Sequence, residues 1–453
     1  MDVGRWGAPG YWMARVVLGA AARVYFRSIE TRHRDRVPRR GPLLLVANHP
    51  ASFTDVVVLA LAIPRRLHFL AMAPIFKPWI RGFALRLCGT LPIYRRQDDE
   101  SQLHRNEDTF RACHTLLDGG GAVLIFPEGT SLEDRRIVKL KTGAARIALG
   151  QEARPRQEGR LTLLPVGLHF VERTGFWTEV VASVGRPMDL APFRARARED
   201  EAVAVRELTD AIQGALEQLI LNVEVDRVAL VHAIEEIYRV EAPEAAATVA
   251  LGVAQGVAEC IEHFAQLEPA RVEVAARRVG RYRDALEALS IRDRTLREML
   301  PPEGRTLERA RLVTLGLLGI VPALVGGAVN YLPYRLTAIA GRATRDPTRI
   351  AAYRLGAGIA IFPLAYGAIA TLLARVGWPP LQITAVLAGA ALLGVHALIY
   401  FQWLSRQWAR IRLVVLKISH RREVAWLRRE RRDLIRTFDA ALAEYRRFRG
   451  SRR

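Results

Sequence analysis

The stretch LLLVANHPASFTDVVVLALAI (residues 43–63) sets two patterns back to back. LLLVA (43–47) is a continuous apolar run of strand length, of the kind buried on both faces of a parallel sheet. VVVLALAI (56–63) reads as a buried helix. Between them lies NHPASFTD (48–55), with a histidine at the strand's end, Ser52 placed as a helix N-cap and Asp55 at the third helical position. The octet poses a chemical choice. Either Ser52 and Asp55 only satisfy backbone donors, or His49 and Asp55 form a pair at the mouth of a sheet that takes a proton from a hydroxyl.

Outward from this stretch the alternation continues. AVLIF (122–126), LTLLPVGLHF (161–170) and TEVVASVG (178–185) read as strands. SQLHRNEDTFRACHTLLD (101–118) places Leu103, Phe110, Cys113 and Leu117 on one helical face, and the glycines at 119–121 stop it. LKTGAARIAL (140–149) is helical. Strands alternating with helices predict an α/β layer architecture for residues 37–190. From 191 to 311 the strand signals vanish, and long amphipathic stretches predict an all-helical region. Residues 404–453 form a basic tail with helical patterning.

Composition narrows the class of partner. The chain has 67 Lys+Arg, mostly arginine, against 46 Asp+Glu, a net charge of +21. Such a balance favours polyanions: nucleic acid, anionic lipid headgroups, or phosphorylated substrates and carriers. No zinc-finger, RNP or helix-turn-helix pattern supports nucleic acid, and the basic residues cluster beside apolar segments, which is a membrane pattern. The three cysteines (Cys88, Cys113, Cys260) form no CxxC pair and read as buried small hydrophobes in a reducing compartment. No metal-ligand spacing occurs.

Two features point to a lipid surface. Residues 1–36 contain an amphipathic helix (11–26) whose Arg15, Arg23 and Arg27 share a face. It is expected to lie in the interface with Trp12, Leu18 and Phe26 toward the acyl region, or else to pack on the domain. Residues 312–332, 355–374 and 381–403 are free of Asp, Glu, Lys and Arg, and each has about the 20 residues a bilayer core requires. Distribution of the basic loops favours a first segment that enters, turns at Pro322 to Gly327 and returns, followed by a hairpin closed at GWPP (377–380). That arrangement puts every basic loop, and with them residues 37–190, on the cytoplasmic face.

Four further stretches join the opening one in order: GTLPIYRR (89–96), FPEGTS (126–131), LKTGAARIAL (140–149) and LLPVGLHF (163–170). Singly they are weak. Together, over about residues 40–190, they resemble the glycerolipid acyltransferase family, membrane-associated enzymes that acylate glycerol-3-phosphate or 1-acylglycerol-3-phosphate. The family's usual first motif, NHxSxxD, is one residue shorter between His and Asp; here Pro50 to Thr54 intervene. The longer spacing resembles the subgroup acting on glycerol-3-phosphate and dihydroxyacetone phosphate. The extra residue lies before Ser52, where a loop can absorb it without moving the helix face.

The resemblance implies roles. An acyl thioester is already activated, so the missing element is a base for the acceptor hydroxyl, and imidazole titrates near pH ~6.5. His49 is then the base, and Asp55 holds its tautomer. Arg95 suits the acceptor's phosphate as a bidentate cation. Glu128 and Gly129 belong to the acceptor loop, with Glu128 accepting from a glycerol hydroxyl or from Arg95. Thr130 and Ser131 are further donors, and Lys139 and Lys141 are either phosphate contacts or solvated lysines. His169 reads as structural. The partners implied are membrane phospholipids, a phosphorylated glycerol acceptor, and acyl-CoA or acyl-carrier protein as co-substrate, with no other cofactor. Another lysophospholipid acceptor and a non-catalytic lipid-binding relative are the alternatives; the second predicts loss of His49 or Asp55, and both are present.

Overall fold

A computed structural model of the chain describes residues 7–129, 137–154, 160–172, 175–221, 227–241, 247–291, 293, 296 and 306–450. The chain divides into two compact units, Met1–Asn222 with Gly341–Ile359, and Val223–Ala340 with Ala360–Arg453.

The first unit is built on seven strands: β1 (Phe26–Arg32), β2 (Leu43–Ala47), β3 (Leu67–Met72), β4 (Leu91–Ile93), β5 (Ala122–Ile125), β6 (Thr162–Phe170) and β7 (Thr178–Val184). They lie in the order β1-β7-β6-β2-β5-β3-β4. Neighbours are parallel except β6 and β7, which are antiparallel. Each residue of β2 is fully buried, and its side chains alternate between two cores. Leu43, Leu45 and Ala47 join α1 (Gly7–Tyr25) and α2 (Phe53–Ala62) on one face. Leu44 and Val46 join α4 (Asn106–Asp118), α5 (Gly143–Glu152) and α7 (Glu201–Glu217) on the other. An uninterrupted apolar run suits a strand covered on both sides, because neither of its faces meets water.

Several details depart from the sequence reading. β1, β3 and β4 were not expected, nor was α3 (Trp79–Leu87). The helix expected over 101–118 is α-helical only from Asn106. Glu100–Arg105 forms a 3-10 turn, with the Asp99 carboxylate accepting from the Ser101 N–H at its start. Phe26 does not face lipid; it opens β1 and is buried in the core. Arg15 does not face headgroups either, since it donates to the Ile63 carbonyl at 3.2 Å. The apolar surface that α1 leaves exposed is Trp12, Met13, Val16, Val17 and Val24, and α3 adds Trp79, Ile80 and Phe83.

α6 (Ala191–Glu199) precedes α7 in the first unit. In the second unit, α8 (Val228–Glu241), α9 (Ala247–Leu267), α10 (Pro269–Ala288) and α14 (Arg421–Gly450) are amphipathic. Buried Arg431 pairs with Asp293 at 3.0 Å, and the Tyr282 hydroxyl donates to the same carboxylate.

α11 (Thr306–Ala340), α12 (Pro347–Arg375) and α13 (Pro380–Ser419) include stretches long and apolar enough to cross a membrane: Gly316–Ala343, Pro347–Arg375 and Pro380–Ser405. The turn expected at Pro322 to Gly327 is absent, for α11 runs through it as one helix. Proline and glycine are tolerated there because a neighbouring helix supplies packing. A side chain at Gly326 would collide with the Leu393 carbonyl of α13, so this glycine serves close helix approach instead of chain reversal. Asn330 reaches the Ala390 carbonyl (3.1 Å), and Tyr400 reaches that of Gly316 (2.7 Å). These contacts place α11 and α13 antiparallel. The GWPP segment joins α12 to α13 as expected.

Candidate active site

Strands β2, β5, β3 and β4 are parallel neighbours, so the loops after them gather at one edge of the sheet, where α/β folds bind ligands. His49 follows β2. Its Nδ1 lies 2.9 Å from Asp55 Oδ2 in the first turn of α2. The same Oδ2 accepts the Ala51 N–H at 2.8 Å, and Asp55 is fully buried. A carboxylate only accepts, so Nδ1 carries the proton and Nε2 presents a lone pair. Among the described residues, Nε2 has no hydrogen-bond partner. The imidazole stacks on Phe126, with ring centres 4.0 Å apart and planes at 16°.

Ser52 sits at the N-cap, but its side chain makes no capping bond. The cap is supplied in reverse, by Asp55 reaching back to Ala51. Ser52 instead takes φ 54°, a left-handed conformation that favours glycine. With that turn in the loop, the imidazole and carboxylate meet.

Two ties fix the loop to its surroundings. Asn48 exchanges two hydrogen bonds with Leu168 of β6: its Nδ2 donates to the carbonyl (3.0 Å) and its Oδ1 accepts the N–H (2.6 Å). Glu128, following β5, accepts the His49 N–H at 2.8 Å, and the Val138 N–H also donates to it. Burial pushes its pKa up from 4.5 to about 6, against the lowering effect of those N–H donors. Gly129 has φ 72°, and its carbonyl accepts from Arg95 Nη1 at 2.7 Å.

Arg95 follows β4. Its Nε and Nη2 hold Asp98 Oδ2 and Oδ1 at 2.6 and 2.7 Å, and Nη2 also lies 3.1 Å from Met72 Sδ. Arg95 therefore pairs with Asp98 and Gly129, so of the two donors considered for Glu128, a glycerol hydroxyl or Arg95, the arginine is engaged elsewhere. His49, Asp55, Glu128, Gly129 and Arg95 thus share one edge of the sheet. Thr130 and Ser131 lie outside the described residues. Lys139 and Lys141 are exposed just before α5, and His169 is buried within β6. Asn48, Phe126 and Asp98 were not singled out from the sequence. Among the described residues, no three His, Cys, Asp or Glu side chains gather as metal ligands would.

The family described as Acyltransferase matches residues 28–169, a span that opens in β1, closes in β6 and contains every one of these loops. Residues 28–169 are an acyltransferase domain. The chain resembles, at 36% identity over 107 residues, the 1-acyl-sn-glycerol-3-phosphate acyltransferase LPAT1, chloroplastic, of Arabidopsis thaliana, covering 24% of this chain and 28% of that one. It is also similar to the lyso-ornithine lipid O-acyltransferase of Rhizobium meliloti, 33% identical over 153 residues, covering 32% of this chain and 46% of the relative. The chain therefore spans less than half the length of either. The crystal structure of the 1-acyl-sn-glycerophosphate acyltransferase PlsC from Thermotoga maritima aligns with 46% of this chain and 82% of its own, at 17% identity and a TM-score of 0.32. Beyond the acyltransferase domain lie α1, β7 and all the helices from α6 onward.

Proposed function

We propose that the chain is a membrane-associated O-acyltransferase. It moves a fatty acyl group from an acyl thioester, acyl-CoA or acyl-carrier protein, to a hydroxyl of glycerol-3-phosphate or 1-acylglycerol-3-phosphate. The observation that carries this reading is the 2.9 Å contact between His49 Nδ1 and buried Asp55, which leaves Nε2 as the base. The acceptor hydroxyl gives its proton to Nε2 as its oxygen attacks the thioester carbonyl. The tetrahedral intermediate then collapses, the C–S bond breaks, and His49 returns the proton to the departing thiolate. Asp55 holds the tautomer and stabilises the imidazolium, and Phe126 holds the ring plane.

Arg95 takes the acceptor phosphate. Gly129 allows the backbone to approach the acceptor, with Thr130 as a further donor, and Glu128 builds the wall of the site by tying its loop to His49. The three apolar helices and the exposed aromatic and aliphatic side chains of α1 and α3 support a place at a membrane, with the basic surface toward anionic headgroups on the cytoplasmic face.

The test is acyl transfer by detergent-purified protein. Acyl-CoA and acyl-carrier protein serve as donors; glycerol-3-phosphate, 1-acylglycerol-3-phosphate and lyso-ornithine lipid are offered separately. His49→Ala is expected to lower the rate by about 10³-fold or more with an unchanged unfolding temperature. Ordinary activity in a folded His49→Ala protein overturns the mechanism. Transfer only to the lyso-ornithine lipid replaces the acceptor while keeping the chemistry.

A further inference from the structure

We infer that Asp98 is a resident substitute for the acceptor's phosphate, and that it sets the affinity an anion must reach to take hold of Arg95. The inference rests on the reading above that Arg95 holds that phosphate. Asp98 occupies both N–H groups of the guanidinium edge, Nε and Nη2, at 2.6 and 2.7 Å, in the bidentate arrangement that a phosphate would use. An acceptor phosphate must take those donors from Asp98 before it can bind.

The surroundings suit an exchangeable partner. Arg95 keeps its aim without Asp98, because Nη1 is held by the Gly129 carbonyl on a different loop. Among the described residues, the Asp98 carboxylate has no partner except Arg95. The neighbouring Asp99 differs: its carboxylate accepts from the Ser101 N–H and hydroxyl and from the Gln102 amide, which fixes it as the start of the 3-10 turn. Asp98 comes back over the guanidinium through a tight turn, in which its own N–H reaches the Arg95 carbonyl at 3.0 Å. The two side chains stay 21% and 18% exposed, so water can receive a released carboxylate.

The threshold this sets follows from charge. A phosphodiester or carboxylate acceptor carries one negative charge and replaces one monoanion by another, with little Coulombic gain. A phosphomonoester brings nearly two charges and gains on exchange. Release of Asp98 costs every anion the same, so Asp98 weakens all of them at Arg95 by one common factor.

The full-length protein in detergent serves for the test. It is compared as wild type, Asp98→Asn, Asp98→Glu and Arg95→Ala, with 1-acylglycerol-3-phosphate and lysophosphatidylglycerol as mono- and diester acceptors. Asp98→Asn is expected to lower KM for the monoester by up to about fivefold, the scale of a partly exposed ion pair. KM for the diester should fall by a similar factor, since the release of Asp98 costs both acceptors alike, and the change should fall on KM and not on kcat. Inorganic phosphate should inhibit Asp98→Asn more strongly, and Asp98→Glu should stay near wild type. A KM that rises or stands still in Asp98→Asn, while Arg95→Ala raises it for the monoester, overturns this inference and leaves the phosphate reading intact. No change in KM for either acceptor in Arg95→Ala overturns the phosphate reading and this inference with it.

Discussion

His49 and Arg95 stand beyond two strands of one sheet, yet the protein holds them by different means. His49 leaves β2, which has hydrogen-bonded neighbours on both sides and no solvent-exposed residue. Its ring is fixed by Asp55 and Phe126, its N–H by Glu128, and the residue before it by Leu168. Arg95 leaves β4, three residues at the sheet's edge, and is held by an aspartate of its own loop, a carbonyl and a thioether. A proton-transfer group works only within hydrogen-bond reach, so rigid support favours it. A group that must accept and release an anion is better served by partners that can be exchanged.

Three substitutions probe the rigid side of this contrast. The largest effect is expected from Asn48→Leu, which leaves the Leu168 N–H and carbonyl buried without partners. It should cost about 3 kcal/mol of stability and lower kcat more than it raises KM; denaturant titration and kinetics read both. A KM change alone would mean that Asn48 supports the arginine side instead.

Glu128→Gln addresses pH. Because Glu128 is protonated more readily in the folded chain, with its pKa raised from 4.5 to about 6, it contributes stability that is fully present below pH 4.5 and is lost as pH rises through 6. At about 1.36 kcal/mol per pH unit, the wild type should lose about 2 kcal/mol relative to Glu128→Gln between pH 4.5 and 7.5. Parallel melting curves across that window would contradict the burial assigned to this carboxyl. The smallest effect is expected from Ser52→Gly, which should stabilise by about 1 kcal/mol by relieving the left-handed φ. A destabilised variant would show that the serine hydroxyl matters more than the strain.

Much of the domain was legible because burial writes itself into sequence. LLLVA and AVLIF are apolar throughout and the 161–170 run is apolar except for Thr162 and His169, and each became an interior strand. β1 (FRSIETR) and β4 (LPI) lie at the sheet's edges, where one is mixed in polarity and the other too short to show a period. The His49–Asp55 pair was legible because both residues lie within one loop and one helical turn. Asn48 was not, since its partner Leu168 comes from a distant strand that only the fold brings near. The backbone partners of Glu128 were not legible for the same reason: they are N–H groups of other loops, and no side-chain pattern announces them. The glycines of α11 suggested a turn, because a sequence does not tell a glycine that reverses the chain from one that admits a neighbouring helix.

The strand order has a last consequence, for the order in which the site comes apart. Amides of β2, bonded on both sides at the centre of the sheet, exchange with deuterium only when the whole unit opens, whereas β4 can fray from β3 alone. Warming or mild denaturant therefore loosens Arg95 first. His49 and Asp55 stay assembled until the domain itself melts.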